Sequence, residues 1–312
     1  MSDPVPLTIE DAAALLRAGK LCAFPTETVY GLGADATNAD AVLSIYETKG
    51  RPRFNPLIVH CADLTMAERF AEFSPLARRL AQRFWPGPLS LVLPLRPGHG
   101  LADIVTAGLP SVALRVPDHP IAQALLRAAD RPLAAPSANP SGRLSPTTAG
   151  QVRRGFAGRV PVLDGGPCKA GVESTILTIE HGQLVQLRAG ALARSEIEAA
   201  MGLPVARAGE GAAIAAPGML LNHYAPDAAM RLNAEPRPGE AFLAFGNVAP
   251  FAGPTRNLSA SGDLREAARN LFAMIAELDA AGPARIAVAP IPETGLGEAI
   301  NDRLARAAAP RA

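Results

Sequence analysis

Glycine and proline interrupt this chain so often that they limit what it can fold into. The sequence holds 28 glycines and 30 prolines among 312 residues, and both residue types break regular elements and favour turns. Only 4% of the residues are aromatic. We therefore expect many short strands and helices joined by turns, rather than a helix bundle.

Length and composition indicate a compact protein of one large domain or two unequal domains. A domain usually takes roughly 100–200 residues. Hydrophobic residues make up 48% and charged residues 19%, which is enough apolar surface for a buried core and too little charge for a disordered chain. The formal net charge of +1 provides no global field toward RNA or acidic membranes, so any recognition of a polyanion must be local.

The cysteines, the histidines and the N-terminus predict a cytoplasmic protein. Cys22, Cys61 and Cys168 lie far apart without a C-x-x-C pair, and the 5 histidines are dispersed, so neither a disulfide framework nor a metal site is indicated. The first residues lack the features of a signal peptide, and no apolar stretch reaches the roughly 18 residues of a membrane span. We therefore expect a reducing compartment and no membrane.

Helix starts alternate with short apolar segments, which is typical of an α/β fold. Helix starts are predicted at Thr8, Ser74-Pro75, His119-Pro120 and Ser145-Pro146. Short strands are predicted at residues 21–24, 57–60, 89–95, 111–116, 133–135, 160–163, 174–179 and 184–187.

The pattern changes after about residue 205. Residues 206–236 are predicted as a linker, because most of them are small residues and prolines without a sustained period. Strand, helix, strand and helix follow at residues 241–245, 263–280, 285–289 and 298–308. We therefore predict a first domain at 1–205 and a smaller α/β domain at 237–312.

Two polar segments are candidate ligand sites. Residues 25–33 follow the first strand and contain glycine, as ligand-binding loops of α/β proteins do. Residues 49–56 place Lys49, Arg51 and Arg53 in a loop punctuated by glycine and proline, where the three cations can converge on one anion. A solvated basic turn is the alternative reading of this second segment.

A third segment and a buried arginine extend the candidate site. Residues 135–147 offer hydroxyl groups and backbone N–H groups between a strand and a helix start, which suits phosphate oxygens, although capping and turn formation explain the same residues. Arg115 lies within an apolar strand and needs a partner, either an acidic side chain or a ligand carboxylate. Glu173-Ser174-Thr175 and Arg188 repeat the pattern of polar groups at strand ends.

Several well-known catalytic signatures are absent from the sequence. The chain contains no G-x-x-x-x-G-K-[ST], no H-E-x-x-H and no G-x-S-x-G. Walker-type hydrolysis, zinc proteolysis and α/β-hydrolase chemistry therefore lose support.

Taken together, these segments resemble the threonylcarbamoyl-AMP synthases of the YrdC-like family. The matching blocks are Pro25-Thr26-Glu27-Thr28-Val29-Tyr30-Gly31-Leu32, Lys49-Gly50-Arg51-Pro52 with Asn55-Pro56-Leu57, Trp85-Pro86-Gly87-Pro88, Ser137-Ala138-Asn139 with Ser141-Gly142 and Ser145-Pro146-Thr147, and Glu173-Ser174-Thr175. They occur in family order. His223-Tyr224-Ala225-Pro226 and Gly295-Leu296-Gly297-Glu298-Ala299-Ile300-Asn301-Asp302-Arg303-Leu304 resemble the long, two-domain form of this family.

The resemblance implies a fold and a reaction. It implies a YrdC-like α/β domain, with a twisted open sheet around a concave, positively lined cavity, joined to a small Rossmann-like α/β domain. It also implies a nucleotidyltransferase that condenses L-threonine, bicarbonate and ATP into L-threonylcarbamoyl-AMP and releases pyrophosphate, with Mg²⁺ held mainly by the ATP phosphates. The product feeds the N6-threonylcarbamoyladenosine modification of tRNA. Downstream threonylcarbamoyl-transfer enzymes are therefore implied partners, and weak binding of tRNA or other RNA is allowed for.

Position by position, the resemblance assigns side chains to two substrates. Threonine is expected at Thr28, His60, Arg115, Ala135 and Ser174. ATP is expected at Lys49, Arg51, Asn55, Ser111, Ser137, Ser145, Arg188 and Tyr224. Ala135 replaces a common hydroxyl residue, so any contact there would use the backbone. Lys49 and Arg51 are predicted to carry catalysis by positioning and charge neutralisation without a nucleophilic side chain, and the region of Tyr224 is predicted to be a lid over ATP.

Two other functions remain as alternatives. A basic concavity could hold RNA, which predicts binding that weakens steeply with salt and needs no threonine, but the near-neutral net charge speaks against it. A carbamoyl-transfer domain like that of hydrogenase maturation factors shares the YrdC-like core. That function would be accompanied by acylphosphatase-like and zinc-finger segments upstream.

Overall fold

The computed structural model describes residues 6–209 and 224–309, which form a mixed α/β structure with two sheets. The strands are β1 (Cys22–Phe24), β2 (Gly31–Asp35), β3 (Ile58–His60), β4 (Leu89–Pro94), β5 (Ser111–Arg115), β6 (Leu133–Ala134), β7 (Thr175–Glu180), β8 (Gln183–Arg188), β9 (Val205–Arg207), β10 (Ala229–Arg231), β11 (Ala241–Ala244), β12 (Thr255–Asn257) and β13 (Arg285–Val288). The α-helices are α1 (Ile9–Arg17), α2 (Ala39–Lys49), α3 (Leu64–Ala67), α4 (Pro75–Phe84), α5 (Pro120–Ala129), α6 (Ala149–Gly155), α7 (Arg194–Met201), α8 (Leu264–Ala280) and α9 (Gly297–Ala308).

The predicted helix starts are confirmed where a side chain caps the helix. Thr8 and Asp11 form the capping box of α1, and the Ser74 hydroxyl accepts a hydrogen bond from the Ala77 N–H at the start of α4. The His119 ring likewise accepts from the Ile121 N–H at the start of α5. Local hydrogen bonding therefore fixes these three boundaries.

Two predicted elements are wrong. No helix starts at Ser145, because its hydroxyl group donates to the Glu173 carboxylate; α6 starts later, behind a capping box formed by Thr148 and Gln151. Residues 160–163 form a single bridge, from Ala23 to Val162, instead of a strand.

The first sheet is mixed and contains nine strands in the order β1-β2-β6-β3-β5-β4-β7-β8-β9. The parallel pairs are β3 with β5, β4 with β7 and β8 with β9, and the remaining neighbours are antiparallel. On one face of its centre, Ile58, Val92, Ala113 and Ile176 form a small apolar cluster of their own. Because side chains alternate along a strand, Arg115 lies on the same face of β5 as Ala113. This face positions the candidate site.

The second sheet is parallel, with the strand order β10-β13-β11-β12. Leu271, Phe272 and Ile275 of α8 and Ile300 and Leu304 of α9 belong to the core beside it. The alternation of parallel strands and helices agrees with the expected small α/β domain.

The two sheets pack through a shared core. Val29, Val172 and Ala193 come from the part of the chain that forms the first sheet, yet they belong to the core cluster of the second. Gly171 lies so close to α8 that a Cβ atom there would be 2.3 Å from the Arg269 Cα, and its φ of +79° also favours glycine. The chain therefore allows close backbone contact at this interface.

The predicted division into domains stays a prediction. Within the predicted linker of residues 206–236, residues 206–207 belong to β9 and residues 229–231 to β10. Residues 210–223, which include the central part of the predicted linker and lid and His223, lie outside the described residues. Within the described ranges, no helix is long and apolar enough to cross a membrane.

Candidate functional site

A small cavity lies against the face of the first sheet that carries Ile58 and Arg115. Its walls come from the part of the chain that forms the first sheet and from Tyr224, which belongs to the core beside the second sheet. The lining residues are Thr26, Thr28, Val29, Gly31, Arg51, Ile58, His60, Arg115, Ala135, Pro136, Ser137, Glu173, Ser174, Arg188 and Tyr224. Three of them are arginines and one is a glutamate, so the cavity is suited to anions.

Arg115 lies at the end of β5 and is 3% exposed. Its Nη2 lies 2.8 Å from Oε1 of the buried Glu27, and its Nε donates to the Gly87 carbonyl at 3.4 Å. The contact with Glu27 is an ion pair whose geometry is not that of a hydrogen bond. Within the described part of the chain, both Glu27 carboxylate oxygens and Arg115 Nη2 are without a hydrogen-bond partner. Glu27 is thus the acidic partner expected for a buried arginine, and the guanidinium retains N–H donors for a ligand.

Arg51 is fixed by the backbone of its own loop. Its Nε donates to the Asn55 carbonyl at 3.2 Å, and its Nη2 donates to the Pro56 carbonyl at 2.9 Å. Burial, opposed by Tyr46 and Tyr224 and reinforced by the charge of Arg188, lowers its pKa to about 10, so the group stays charged near neutral pH. Arg51 therefore presents a preorganised positive charge to the cavity.

Lys49 does not line the cavity. It is the last residue of α2, which ends at the left-handed Gly50, so it belongs to a helix and not to the predicted loop. Its ammonium group donates to the Ser137 carbonyl at 2.6 Å and to the Asn139 carbonyl. Burial and the charge of Arg51 lower its pKa well below the ordinary value. Lys49 thus ties the cavity-lining segment of Ser137 to α2.

Arg188 and Ser174 form a second polar group in the cavity. Arg188 Nη2 donates to the Ser174 carbonyl at 2.8 Å and to its Oγ at 3.2 Å. The Ser174 Oγ also shares a 2.8 Å hydrogen bond with the Ser90 Oγ. Burial, opposed by Tyr224 and reinforced by the charge of Arg303, lowers the pKa of Arg188 to about 10. Like Arg51, Arg188 is a fixed cation near neutral pH.

A buried chain of hydrogen bonds connects the cavity to α9. Ser145 donates to Oε1 of Glu173, and Arg303 Nε lies 2.7 Å from Oε2 of the same carboxylate. Arg303 is 1% exposed, and its Nη2 also donates to the Ala189 carbonyl at 3.0 Å. Burial alone would raise the pKa of Glu173, but the charges of Arg303 and Arg188 and these hydrogen bonds hold it at about 2. The second domain therefore contributes a charge to the wall of the cavity.

Tyr224 lines the cavity and is packed against the second domain. Its ring stacks on Phe272 with 5.3 Å between centroids, and the Arg303 guanidinium carbon lies 5.2 Å from its ring centroid. Its φ of +65° is rare for a residue with a side chain. Burial raises its pKa to about 12, so the phenol remains protonated near neutral pH.

His60 is the buried end of β3 and faces the cavity. Its Nδ1 has no hydrogen-bond partner among residues 6–209 and 224–309. Burial, reinforced by the positive charge of Arg115, lowers its pKa to about 3. The imidazole is therefore neutral at physiological pH and can accept or donate one hydrogen bond to a bound ligand.

The pKa values of His60 and Glu173 predict that stability falls on acidification. In the unfolded chain His60 takes up a proton near pH 6.5, but in the folded protein only near pH 3, so the unfolded state binds more protons between these values. Glu173 adds a further loss of stability on acidification, because its pKa is 4.5 in the unfolded chain and about 2 in the folded protein. We expect the free energy of unfolding, measured with urea, to be roughly 3 kcal/mol lower at pH 4 than at pH 7.

The variant His60→Gln isolates the histidine contribution to this effect. It should show a flatter profile between pH 6.5 and pH 4 than the parent chain. An unchanged slope in this variant would contradict the assignment of the pH dependence to His60.

The structure brings most of the predicted site residues together. Those that line the cavity are Thr28, Arg51, His60, Arg115, Ala135, Ser137, Ser174, Arg188 and Tyr224. Lys49, Asn55 and Ser145 are buried behind this lining. Ser111 lies at the other end of β5 from Arg115, about 13 Å away along the strand, although on the same face of the sheet. Their assignment to threonine or ATP stays a prediction.

Sequence reasoning missed three charged residues of this site. The sequence predicts no ligand role for Glu27 or Arg303 and indicates Glu173 only as a polar group at a strand end, although all three lie in the matching blocks. Arg303 had a readable signal, because it falls on the buried stripe of α9 with Ile300 and Leu304, where an arginine requires a partner. The identity of that partner is a tertiary contact across the interface and could not be derived from spacing.

Family models match nearly the whole chain. A model described as "Telomere recombination" matches residues 14–190, and a model described as "Threonylcarbamoyl-AMP synthase, C-terminal domain" matches residues 192–309. These matches cover the segments that form the first and the second sheet.

Curated relatives and a solved structure are similar over almost their full lengths. The threonylcarbamoyl-AMP synthase of Bacillus subtilis is 41% identical, covering 97% of this chain and 93% of the relative. That of Pyrococcus abyssi is 40% identical, with 96% and 93% covered. The crystal structure of P. abyssi Sua5 complexed with L-threonine superimposes with a TM-score of 0.87 at 39% identity, covering 96% of this chain and 94% of that one.

Proposed function

The chain belongs to the threonylcarbamoyl-AMP synthase family, and we propose that it makes L-threonylcarbamoyl-AMP from L-threonine, bicarbonate and ATP in the cavity lined by Arg51, Arg115 and Arg188. The observation that carries the proposal is the convergence of these three buried arginines on one cavity. ATP, bicarbonate and the carboxylate of threonine are anionic, and a site that joins them must offset their mutual repulsion.

Two sets of lining residues, which meet where Arg188 contacts Ser174, suit different substrates. Arg115, neutral His60 and Ser174 offer a charged fork and neutral hydrogen-bonding groups, which fits the carboxylate and the polar groups of threonine. Arg51, Arg188 and the Ser137 segment offer two fixed charges and a loop secured by Lys49, which fits the phosphates of ATP. The same chain-wide similarity to a structure complexed with L-threonine supports this arrangement.

The reaction needs positioning more than it needs a nucleophilic side chain. The threonine amine attacks the bicarbonate carbon, water is lost, and a carbamate forms. A carbamate oxygen then bonds to the α-phosphorus of ATP while the bond to the β-phosphate oxygen breaks, and pyrophosphate leaves with the electron pair. Arg51 and Arg188 would neutralise charge on the phosphates, Arg115 would orient threonine, and Lys49 would hold the Ser137 segment in place.

Mg²⁺ enters the proposal as the cation bound to the ATP phosphates, where it would supply further charge neutralisation. Among the residues with described positions, no group of three or more His, Cys, Asp or Glu side chains could hold a metal ion. Glu173, the carboxylate that lines the cavity, is already bound to Arg303 and Ser145. The proposal assigns Mg²⁺ to the ATP phosphates, as the family resemblance implies.

The lid remains part of the proposal through Tyr224. This residue lines the cavity and stacks on Phe272 of the second domain, so the chain that leads into the second domain borders the site. Closure of this segment over ATP would exclude water and retain the adenylate. The second domain would then serve as the support on which the lid is anchored.

Replacing Tyr224 with Ala is expected to weaken ATP binding about tenfold or more and to increase the release of free AMP. The variant removes a ring packed against Phe272 and Arg303, and loss of a buried aromatic side chain also costs about 3–5 kcal/mol of stability. ATP affinity, AMP release and urea unfolding measure these effects. Tyr224→Phe, which keeps the ring, should stay close to the parent chain. Unchanged ATP affinity and AMP release in Tyr224→Ala would refute the lid.

Partners and location follow from the product. An acyl adenylate hydrolyses readily, so a transferase that moves the threonylcarbamoyl group to tRNA must take it up soon after release. A cytoplasmic location is part of the same proposal and is supported by three free, buried thiols, which suit a reducing compartment.

The assay for the proposed function combines ATP, Mg²⁺, bicarbonate and the purified protein, with and without L-threonine. Pyrophosphate release that depends on threonine and bicarbonate, together with a product of the adenylate mass, is expected. Pyrophosphate release without threonine, or tight RNA binding without any adenylate, would refute the proposal and favour the RNA-binding alternative.

A further inference from the structure

Phe54 is exposed although it is a large aromatic residue beside the candidate site. Its exposed fraction is 59%, and across the described ranges only Leu203, at 36%, is another exposed large hydrophobic side chain. Other phenylalanines of the same domain, such as Phe24 and Phe70, are buried. An isolated exposed side chain is common on protein surfaces, so its position in the fold decides whether it has a role.

Phe54 lies at the tip of a turn that the rest of the loop holds rigid. The Asn55 N–H donates to the Pro52 carbonyl at 3.2 Å, which closes a turn with Arg53 and Phe54 at its centre. The Asn55 carbonyl accepts from Arg51 Nε at 3.2 Å and from the Tyr46 hydroxyl at 3.1 Å. The aromatic ring is therefore carried by a preorganised backbone, which reduces the entropic cost of binding against it.

The same loop supplies the phosphate-binding charge. Arg51 lines the cavity, and Phe54 follows three residues later, so their Cα atoms are at most about 11 Å apart, the span of a fully extended chain. In ATP the base is separated from the α-phosphate only by the ribose. When Arg51 binds the phosphates, this short separation allows the base to reach the turn tip.

We infer that Phe54 stacks on the base of bound ATP and contributes to its affinity. The inference rests on the proposed function, since it takes the ligand at Arg51 to be ATP. A base stacked on an aromatic ring is bound through its π-face. Phe54 therefore increases the affinity for a nucleotide relative to a polyphosphate that carries no base, and it favours purines because their ring system is larger. It does not read hydrogen-bonding groups, so discrimination between adenine and guanine must come from other contacts.

The test compares ATP with inorganic tripolyphosphate, which carries the phosphates without the base. Dissociation constants of both ligands are measured by calorimetry for the parent chain, Phe54→Ala, Phe54→Trp and the control Leu203→Ala, which removes the other exposed apolar side chain. Phe54→Ala should weaken ATP binding about tenfold and leave tripolyphosphate binding unchanged. Phe54→Trp should restore ATP binding, and Leu203→Ala should change neither.

Fluorescence gives a second readout. The chain has a single tryptophan, so the parent protein supplies the baseline for a second indole at position 54. ATP should quench the added fluorescence of Phe54→Trp, and tripolyphosphate should not. Equal losses for both ligands in Phe54→Ala, or ATP binding within twofold of the parent chain, would overturn the inference.

The proposed function and this inference can fail separately. If the parent chain forms the adenylate but Phe54→Ala binds ATP normally, stacking is wrong and the proposed function stands. If the parent chain binds ATP through Phe54 but forms no adenylate from threonine and bicarbonate, stacking stands and the proposed function is wrong. If the parent chain binds no ATP, both are wrong.

Discussion

Replacing Arg303 with Met is expected to destabilise the protein by about 3–5 kcal/mol and to reduce adenylate formation about a hundredfold or more. The change leaves the Glu173 carboxylate buried without its cationic partner, 2.7 Å from where the guanidinium was. It also removes the cation beside the ring of Tyr224. Because Glu173 and Tyr224 line the cavity, the damage reaches the site although Arg303 belongs to α9. Urea unfolding and the adenylate assay measure the two effects.

Two controls separate the buried charge from general damage. Arg256→Met breaks a pair with Glu277 whose side chains are 49% and 54% exposed, so it should cost less than about 1 kcal/mol and leave activity intact. The double variant Glu173→Gln with Arg303→Met removes both charges, and it should be more stable than Arg303→Met alone. If Arg303→Met lost no more stability than Arg256→Met and kept normal activity, the role of the pair between Glu173 and Arg303 would be contradicted.

Replacing Arg115 with Lys is expected to raise the KM for threonine about a hundredfold and to leave the KM for ATP nearly unchanged. Lysine keeps the positive charge beside Glu27, so the buried acid retains a partner. It lacks the planar fork that can bind a carboxylate with two parallel hydrogen bonds, and it loses the Nε contact with the Gly87 carbonyl. Initial rates of pyrophosphate release at varied threonine and varied ATP separate the two constants.

Arg78→Lys is the matched control for this substitution. Arg78 forms a surface pair with Glu68 at 2.7 Å and is 49% exposed, so the same chemical change there should alter neither KM. A threonine KM for Arg115→Lys within threefold of the parent value would contradict the assignment of Arg115 to the threonine carboxylate. If the KM for ATP rose as much as the KM for threonine, Arg115 would be assigned to the nucleotide instead.

The sequence was most informative where structure depends on neighbours in the chain. The cap at Ser74 and the capping box of Thr8 and Asp11 are local hydrogen bonds, and both boundaries were correct. Arg115 could be identified as a residue that needs a partner because it lies in an apolar strand. The family resemblance then supplied the fold and the reaction, which spacing alone could not.

Tertiary contacts explain the failures. Ser145-Pro146 has the sequence of a helix start, but the Ser145 hydroxyl binds Glu173, which is 28 residues away. The neighbours of Lys49 predict a cation of a basic loop, whereas its ammonium group is bound to carbonyls 88 and 90 residues away. Such partners lie outside the range of any periodic pattern, so they could not be predicted from the segment itself.

The two domains therefore have to be considered together. The first sheet places Arg115 and Arg188 at strand ends, while α9 supplies the arginine that fixes the carboxylate between Ser145 and the cavity. A chain that lacked the second domain would leave Glu173 without Arg303 and Tyr224 without Phe272. The architecture makes the small domain a structural part of the candidate site.

The most direct test of the central claim is a crystal structure of the protein with L-threonine and a non-hydrolysable ATP analogue. We expect the threonine carboxylate within hydrogen-bond distance, about 2.7–3.2 Å, of the Arg115 guanidinium, and the phosphates of the analogue against Arg51 and Arg188. Threonine bound elsewhere on the protein, or phosphates bound away from these arginines, would contradict the account.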